Sequence, residues 1–194
     1  MQLIIASNNT HKINEIKTLF QDLNLTVFPY SQVFDNHIEA LEDGQTFEEN
    51  ALKKVKAFAP HPDHIYLSDD SGLVVDALDG RPGIHSARYG GPGATSTQQC
   101  EKILEEMALK NKRAARFVCV IALLFPTGDA FTVSGIVEGT IANTIKGQHG
   151  FGYDPIFIPE GFDKTFSELG QAIKNSLSHR SRALKAAFDR LKHL

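Results

Sequence analysis

With 194 residues, 42% of them apolar and 22% charged, the chain can bury a substantial core, so disorder is excluded and a single domain over 1–194, in one body or two joined lobes, is expected. Twenty Lys and Arg against 23 Asp and Glu leave a formal charge of −3, too little positive field to draw in a nucleic-acid backbone or an anionic membrane, so the expected partner is a small molecule. Cys100 and Cys119 form no Cys-x-x-Cys pair, no basic segment opens the chain, and no apolar run approaches the ~20 residues that span a bilayer; a cytoplasmic protein with reduced thiols is expected.

In chain order, Leu3-Ile4-Ile5-Ala6 has the apolar continuity of a buried strand, and Ser7-Asn8-Asn9-Thr10-His11-Lys12 follows as a polar loop. Ile13, Ile16, Leu19, Phe20 and Leu23 then recur at helical spacing. Leu25 to Phe28 reads as a second strand ended by Pro29, and Thr46-Phe47-Glu48-Glu49 as a capping box opening a helix to about Phe58. Ile65 to Ser68 predicts a strand leading into Asp69-Asp70-Ser71-Gly72, with Leu73 to Val75 extended again. Asp79-Gly80-Arg81-Pro82-Gly83 is turn chemistry, continuing as a surface loop to Thr95. Ile103, Leu104 and Met107 mark another helix, and Phe117 to Phe125 is apolar enough for a central strand buried on both faces. Pro126-Thr127-Gly128-Asp129 turns the chain into a hairpin partner over Phe131 to Ile145. A glycine-rich loop runs from Gly147 to Pro155, a capping box Thr165-x-x-Glu168 opens helical material, and Leu184, Phe188 and Leu191 stripe the last helix. The class is mixed α/β with long strands.

The loop after the first strand places a hydroxyl, amides and Lys12 at a helix amino end, where free N–H groups and the dipole favour an anion. It lacks the glycine patterns of P-loop and dinucleotide-binding folds, and taken alone it also reads as a polar helix cap with a solvated lysine. Asp69-Asp70-Ser71-Gly72 offers hard oxygen ligands that suit magnesium, and a carboxylate that can deprotonate water; an Asx-type turn describes it equally well. Strand alternation sends the two aspartates to opposite faces. Glu42 is a further candidate metal ligand, and Glu49 the reciprocal partner of Thr46. Of Lys53, Lys54 and Lys56 around one helix, one can face an anion. Phe151-Gly152-Tyr153-Asp154 puts aromatic rings beside a carboxylate, as base stacking or a small satellite core requires. Lys174 and Ser178-His179-Arg180 add donors near a helix start, and the remaining histidines, His61, His64 and His193 among them, read as surface residues.

Five ordered blocks together carry a resemblance. Ser7-Asn8-Asn9-x-x-Lys12-x-x-Glu15, Thr46-Phe47-x-Glu49-Asn50-Ala51-x-x-Lys54, Asp69-Asp70-Ser71-Gly72-Leu73 with Pro82-Gly83-Ile84-x-Ser86-Ala87-Arg88-Tyr89, Gly150-Phe151-Gly152-Tyr153-Asp154-Pro155, and Lys174-x-x-x-Ser178-His179-Arg180 resemble, across nearly the whole chain, the inosine triphosphate pyrophosphatase family. The resemblance implies an α/β fold with a long twisted mixed sheet spanning two lobes, flanking helices, a central nucleotide cleft, and a homodimer. It implies that Ser7, Asn8, Asn9, Thr10, His11 and Lys12 hold phosphates with Lys54 and Ser71 assisting. It further implies that Glu42 and Asp70 bind Mg2+ with Asp70 also the proton acceptor, and that Phe151 stacks on the base. Gly152, Tyr153 and Asp154 complete that pocket, and Lys174, His179 and Arg180 contact the nucleotide. Asn8 stands where the family often has glycine, His85 where it has tyrosine, and Ile173 where an acidic residue is frequent; Asn tolerates left-handed backbone better than most residues.

The expected reaction is hydrolysis of ITP, dITP or XTP to monophosphate and pyrophosphate. The alternatives are a related pyrophosphatase for other modified nucleotides and a nucleotide sensor without turnover.

Overall fold

The computed structural model describes residues 2–22, 26–35, 38, 40–59 and 63–192. The expectations for Leu23, Leu25, His61 and His193 lie outside the described residues. Among the described residues, six strands form one sheet in the order β2-β1-β3-β4-β5-β6, with β1 Leu3–Ile5, β2 Val27–Pro29, β3 Ile65–Val75, β4 Ala114–Leu124, β5 Ala130–Ile141 and β6 Phe157–Pro159. The helices are α1 Thr10–Asp22, α2 Tyr30–Val33, α3 Phe47–Ala57, α4 Ser96–Glu106, α5 Phe166–Leu169, α6 Gln171–Leu177 and α7 His179–Leu191. β1 runs parallel to β2 and β3, and β6 antiparallel to β5, so the sheet is mixed. No helix among the described residues is long and apolar enough to cross a membrane.

The chain divides into two compact units, the first comprising Met1–Asp70, Cys119–Gly135 and Arg180–Leu194, the second Ser71–Val118 and Ile136–His179. In the first, the stripe Ile13, Ile16, Leu19 and Phe20 of α1 packs with Leu3, Ile5, Leu67, Cys119, Ile121 and Leu123 from the strands, and with Ala183, Leu184 and Ala187 of α7. The helical spacing read from the sequence is therefore the core-facing side of α1. In the second, Leu73, Val75, Phe117, Val137 and Phe157 meet Cys100, Ile103 and Met107 of α4. Phe117 and Phe157 lie with ring centroids 4.7 Å apart, in van der Waals contact. Both cysteines are buried and free, Cys100 in α4 and Cys119 in β4.

Local chemistry accounts for several element ends. Thr46 accepts the Glu49 N–H at 3.1 Å, so α3 opens where the capping pattern predicts. The Glu49 carboxylate reaches the N–H of Gln45 at 2.7 Å, one residue short of the reciprocal partner expected. Thr165 and Glu168 complete a full capping box at α5, and Thr95 with Gln98 forms another at α4 that the sequence reading passed over.

Four expectations are corrected. Asp69-Asp70-Ser71-Gly72 does not leave the sheet: β3 runs unbroken from Ile65 to Val75, past the end of its pairing with β1 at Leu67, and has β4 as its other neighbour. The stretch expected as a surface loop to Thr95 contains a 3-10 helix, Gly83–Arg88, that buries Ser86, whose hydroxyl accepts the Leu73 N–H at 2.9 Å and donates to the Gly83 carbonyl at 2.6 Å. β5 ends at Ile141, short of Ile145. His64 is half-buried against Phe34 and Tyr66, with its Nδ1 shielded from solvent, and is no plain surface residue.

Candidate active site

In the first unit, β1 delivers the chain to the polar loop and α1 leads it away. Asn9 accepts the Lys12 N–H through its side chain at 3.1 Å, and the Ser7 hydroxyl accepts the Asn9 N–H at 3.2 Å. The loop is thereby folded back on the start of α1, leaving Asn8, Asn9, Thr10 and His11 exposed and Ser7 buried. Asn8 takes no left-handed conformation; Asp79 is the non-glycine residue with positive φ among those described. The Asn8 amide instead donates to the Ile38 carbonyl at 2.7 Å, a role a glycine in its place could not fill.

Lys12 crosses to β3, its Nζ 3.1 Å from Oδ2 of Asp69. The same carboxylate oxygen accepts from Arg180 at 3.0 Å (Nη2) and 3.3 Å (Nε), and Nη1 of Arg180 pairs with Glu15 of α1. Arg180, Asp69 and Glu15 are all buried. Burial disfavours the charge of Asp69, but the combined pull of Lys12, Arg180 and Lys54 outweighs it and holds the carboxyl well below the usual range. Arg180 is likewise held charged against its burial by Asp69 and Glu15.

One residue along β3, Asp70 faces different partners, as strand alternation requires. Lys54 of α3 lies 2.6 Å from Oε1 of Glu42 and 3.6 Å from Oδ1 of Asp70, and donates to the Asp69 carbonyl at 3.0 Å. Its neighbours Lys53 and Lys56 are exposed, so one lysine of the three turns inward. Burial works against the Lys54 charge, yet Asp69, Asp70 and Glu42 raise its pKa overall. For Asp70 the balance is reversed: burial dominates, Lys54 and Lys12 offset only part of it, and the pKa is raised. Two carboxylates thus converge on one buried ammonium.

The second unit holds the other group. Phe151 is half-buried, its backbone N–H donating to Oδ2 of Asp154 at 2.8 Å. Lys174 of α6 places its ammonium 2.7 Å from the same oxygen and 4.3 Å from the centroid of the Phe151 ring, a cation–π distance. Asp154 and Lys174 are buried, so each neutralises the other away from water. Gly150 takes φ 82°, and a Cβ there would stand 2.2 Å from the Asp154 carboxylate, so the loop closes over Asp154 only with glycine. The Gly152 N–H donates to the Ser96 hydroxyl at 3.3 Å. Tyr153 turns inward: its ring joins the core and its hydroxyl donates to the Ser86 carbonyl at 2.7 Å. His179 stacks on Phe117, with centroids 4.7 Å apart and planes 10° from parallel.

The sequence pattern of the Ham1 family matches residues 3–190. The chain belongs to the Ham1 family. A dITP/XTP pyrophosphatase of Bdellovibrio bacteriovorus is 44% identical over 98% of this chain and 98% of its own length. One of Nautilia profundicola is 43% identical over 100% and 99%. The Ham1 protein of Staphylococcus aureus has the same fold, with a TM-score of 0.88 at 39% identity over 100% of this chain and 99% of that one. A nucleoside-triphosphatase / dITP/XTP pyrophosphatase of Mycobacterium abscessus gives 0.77 at 36% identity over 96% and 97%.

In this Ham1 chain the structure brings Lys12, Lys54, Glu42, Asp69, Asp70 and Arg180 into one connected cluster, and Phe151, Gly152, Asp154 and Lys174 into another. Ser71, the first residue of the second unit, is half-buried. Three residues of the clusters had no assigned role in the sequence reading: Glu15, Ser96 and Asn50. Glu15 had a signal, an acidic residue one helical turn before the core residue Leu19 and three after Lys12.

Proposed function

We propose that this Ham1-family chain hydrolyses the non-standard purine nucleoside triphosphates ITP, dITP and XTP to the monophosphate and pyrophosphate, removing them from the nucleotide pool. The observation that carries the reading is the convergence of Asp70 and Glu42 on Lys54, with Lys12 close by on Asp69, in a chain similar along its length to proteins named dITP/XTP pyrophosphatase. The charged groups of the first cluster suit phosphates, and the aromatic ring and buried ion pair of the second suit a base.

The donor set of the first cluster suits Mg2+: two carboxylates of hard oxygen already face a positive charge, and Lys54 balances them. Glu42 and Asp70 would be the protein residues that hold it. When bound, Mg2+ polarises the phosphate oxygens and offsets charge on the departing group. Water attacks the α-phosphorus, the bond from that phosphorus to the bridging oxygen breaks, and pyrophosphate leaves. Asp70 accepts the proton of the attacking water and passes it to solvent. Lys12 and Lys54, with Ser7 to His11 and Ser71, seat the phosphates, so that charge developing in the transition state meets fixed donors. Arg180 and Asp69 serve by holding Lys12 in place.

Phe151 supplies the stacking surface. Lys174, anchored by Asp154, presents an ammonium that matches the keto oxygen of hypoxanthine or xanthine and opposes the amino group of adenine. Gly152, Tyr153 and His179 shape the surroundings of that base. A mismatch that leaves a buried donor unpaired is worth ~10⁴-fold in discrimination. A homodimer and a cytoplasmic setting complete the proposal; two free, buried thiols are in keeping with a reducing compartment.

The test is incubation with ITP, XTP, GTP and ATP, with and without Mg2+, resolving all phosphate products. IMP or XMP plus pyrophosphate, dependent on Mg2+ and with ATP spared, is the expected outcome. Orthophosphate with diphosphate, or ATP cleaved as well as ITP, contradicts the reading, and binding without turnover makes the protein a sensor.

A further inference from the structure

Asn50 lies in the interior of α3, fully buried, where an amide side chain is a poor helix former and its polar atoms must all find partners. It finds two of opposite kind. Its Oδ1 accepts the N–H of Gly44 at 2.8 Å, and its Nδ2 donates to Oδ2 of Asp70 at 3.3 Å. A backbone N–H can only donate and an ionised carboxylate can only accept, so the orientation of the amide is determined by its neighbours. No side chain but an amide of this size does both at once: aspartate has no donor and leucine has neither.

Gly44 belongs to the loop that carries Glu42, and it approaches the helix closely. A Cβ at this position would stand 2.6 Å from Oδ1 of Asn50 and 2.8 Å from Cβ of Glu49. The glycine is therefore required by contact with α3. One helical turn beyond Asn50, on the same face of α3, Lys54 bonds Oε1 of Glu42 and faces Oδ1 of Asp70. The two helix residues thus divide the work. Asn50 ties the main chain of the acidic loop to one oxygen of Asp70, and Lys54 spans the side chain of that loop and the other oxygen.

We propose that Asn50 is a positioning residue that sets the Glu42 loop and the Asp70 carboxylate in register, and so determines how tightly this pair of carboxylates takes a divalent cation. The inference rests on the reading of Glu42 and Asp70 as the residues that hold the metal. It assigns to the second sequence block, in which Asn50 follows the cap of α3, a task in the chemistry.

Asn50→Asp keeps the acceptor for Gly44 and replaces the donor to Asp70 by a like charge. Gly44→Ala keeps every hydrogen-bonding group and presses a methyl on the same Oδ1. The measurements are Mn2+ affinity by water-proton relaxation in the presence of a non-hydrolysable α,β-methylene analogue of ITP, analogue affinity without metal, kcat and KM for ITP at saturating Mg2+, and the melting temperature. In each variant Mn2+ affinity falls about tenfold or more, as loss of a partner that orients a metal ligand does. kcat falls with it, while metal-free analogue affinity and KM stay within about twofold of wild type. The double variant is no worse than the poorer single one, because both act through one amide.

Wild-type Mn2+ affinity in a folded Asn50→Asp protein overturns the inference. Equal losses in metal-free analogue binding and Mn2+ binding also overturn it, since they describe a general packing defect. If Asn50→Asp does not fold, Gly44→Ala decides by the same criteria. If wild type releases no pyrophosphate with Mg2+, the underlying reading falls and takes this inference with it. Active wild type with unaffected variants removes this inference alone.

Discussion

The two clusters are built from opposite materials. In the first unit Glu15, Asp69, Asp70, Lys54 and Arg180 are buried charges paired with one another, and Lys12 is nearly so. In the second, one buried ion pair, Lys174 with Asp154, supports an arrangement that is otherwise neutral: the Phe151 ring, the Gly150–Gly152 backbone, and a tyrosine hydroxyl on a carbonyl. Buried charges are expensive to assemble, and removing one partner leaves the other uncompensated, so each member of this network depends on the rest. Phosphoryl chemistry develops charge and benefits from donors fixed in advance. A purine ring is flat and neutral, and an aromatic face with one correctly placed donor is sufficient to sort it. Under the proposed function, this difference assigns rate to the first cluster and base selection to the second.

The largest effect that tests this division is at Asp70. Asp70→Asn keeps the shape and the acceptor for Asn50 while removing the base, so kcat for ITP falls ~10²–10⁴-fold with KM near wild type. Near-normal turnover in a folded Asp70→Asn protein, by steady-state pyrophosphate release, breaks the assignment. A smaller effect of the opposite kind is expected at Phe151. Base stacking on an aromatic ring is worth ~1–3 kcal/mol, so Phe151→Leu raises KM for ITP roughly 5- to 150-fold and leaves kcat largely intact. Should Phe151→Leu lower kcat alone, the recognition role fails and the two clusters are not separable in this way.

The sequence made the two clusters legible to different degrees. The full capping box at Thr165, the N-cap half of the one expected at Thr46, the apolar face of α1 and the turn before β5 are local, set by residues within a few positions of one another, and they follow the sequence pattern. The inward turn of Lys54 was legible only as one choice among three lysines. The course of β3 through Asp69-Asp70-Ser71-Gly72 was not legible, because what keeps the strand extended is pairing with neighbours distant in sequence. The partnership of Arg180 with Glu15 joins residues 165 positions apart, and no local pattern announces it. Asn50 shows the same limit: the motif displays the residue, and only the approach of Gly44 and Asp70 shows what its amide does.

The smallest effect concerns the thiols, one in each unit, and compares the two cores directly. Burial pushes Cys119 in the first unit up to about 12, with Asp69 adding to it and Arg180 and Lys12 opposing. Burial also pushes Cys100 in the second unit up to about 12, with help from Asp154 and Glu101. In the unfolded chain a thiol ionises near pH 8.5. Below that value both states keep their protons and the stability is fully present. Between about pH 8.5 and 12 the unfolded chain releases protons that the folded chain retains, so stability falls with rising pH, by roughly 1 kcal/mol per pH unit for Cys119. Urea melts of wild type, Cys119→Ala and Cys100→Ala at pH 7, 8.5 and 10 measure this. Each variant has a flatter decline above pH 8.5 than wild type. A flatter decline in one variant alone identifies the tighter core, and parallel declines in all three proteins mean that the folded thiols ionise as freely as the unfolded ones.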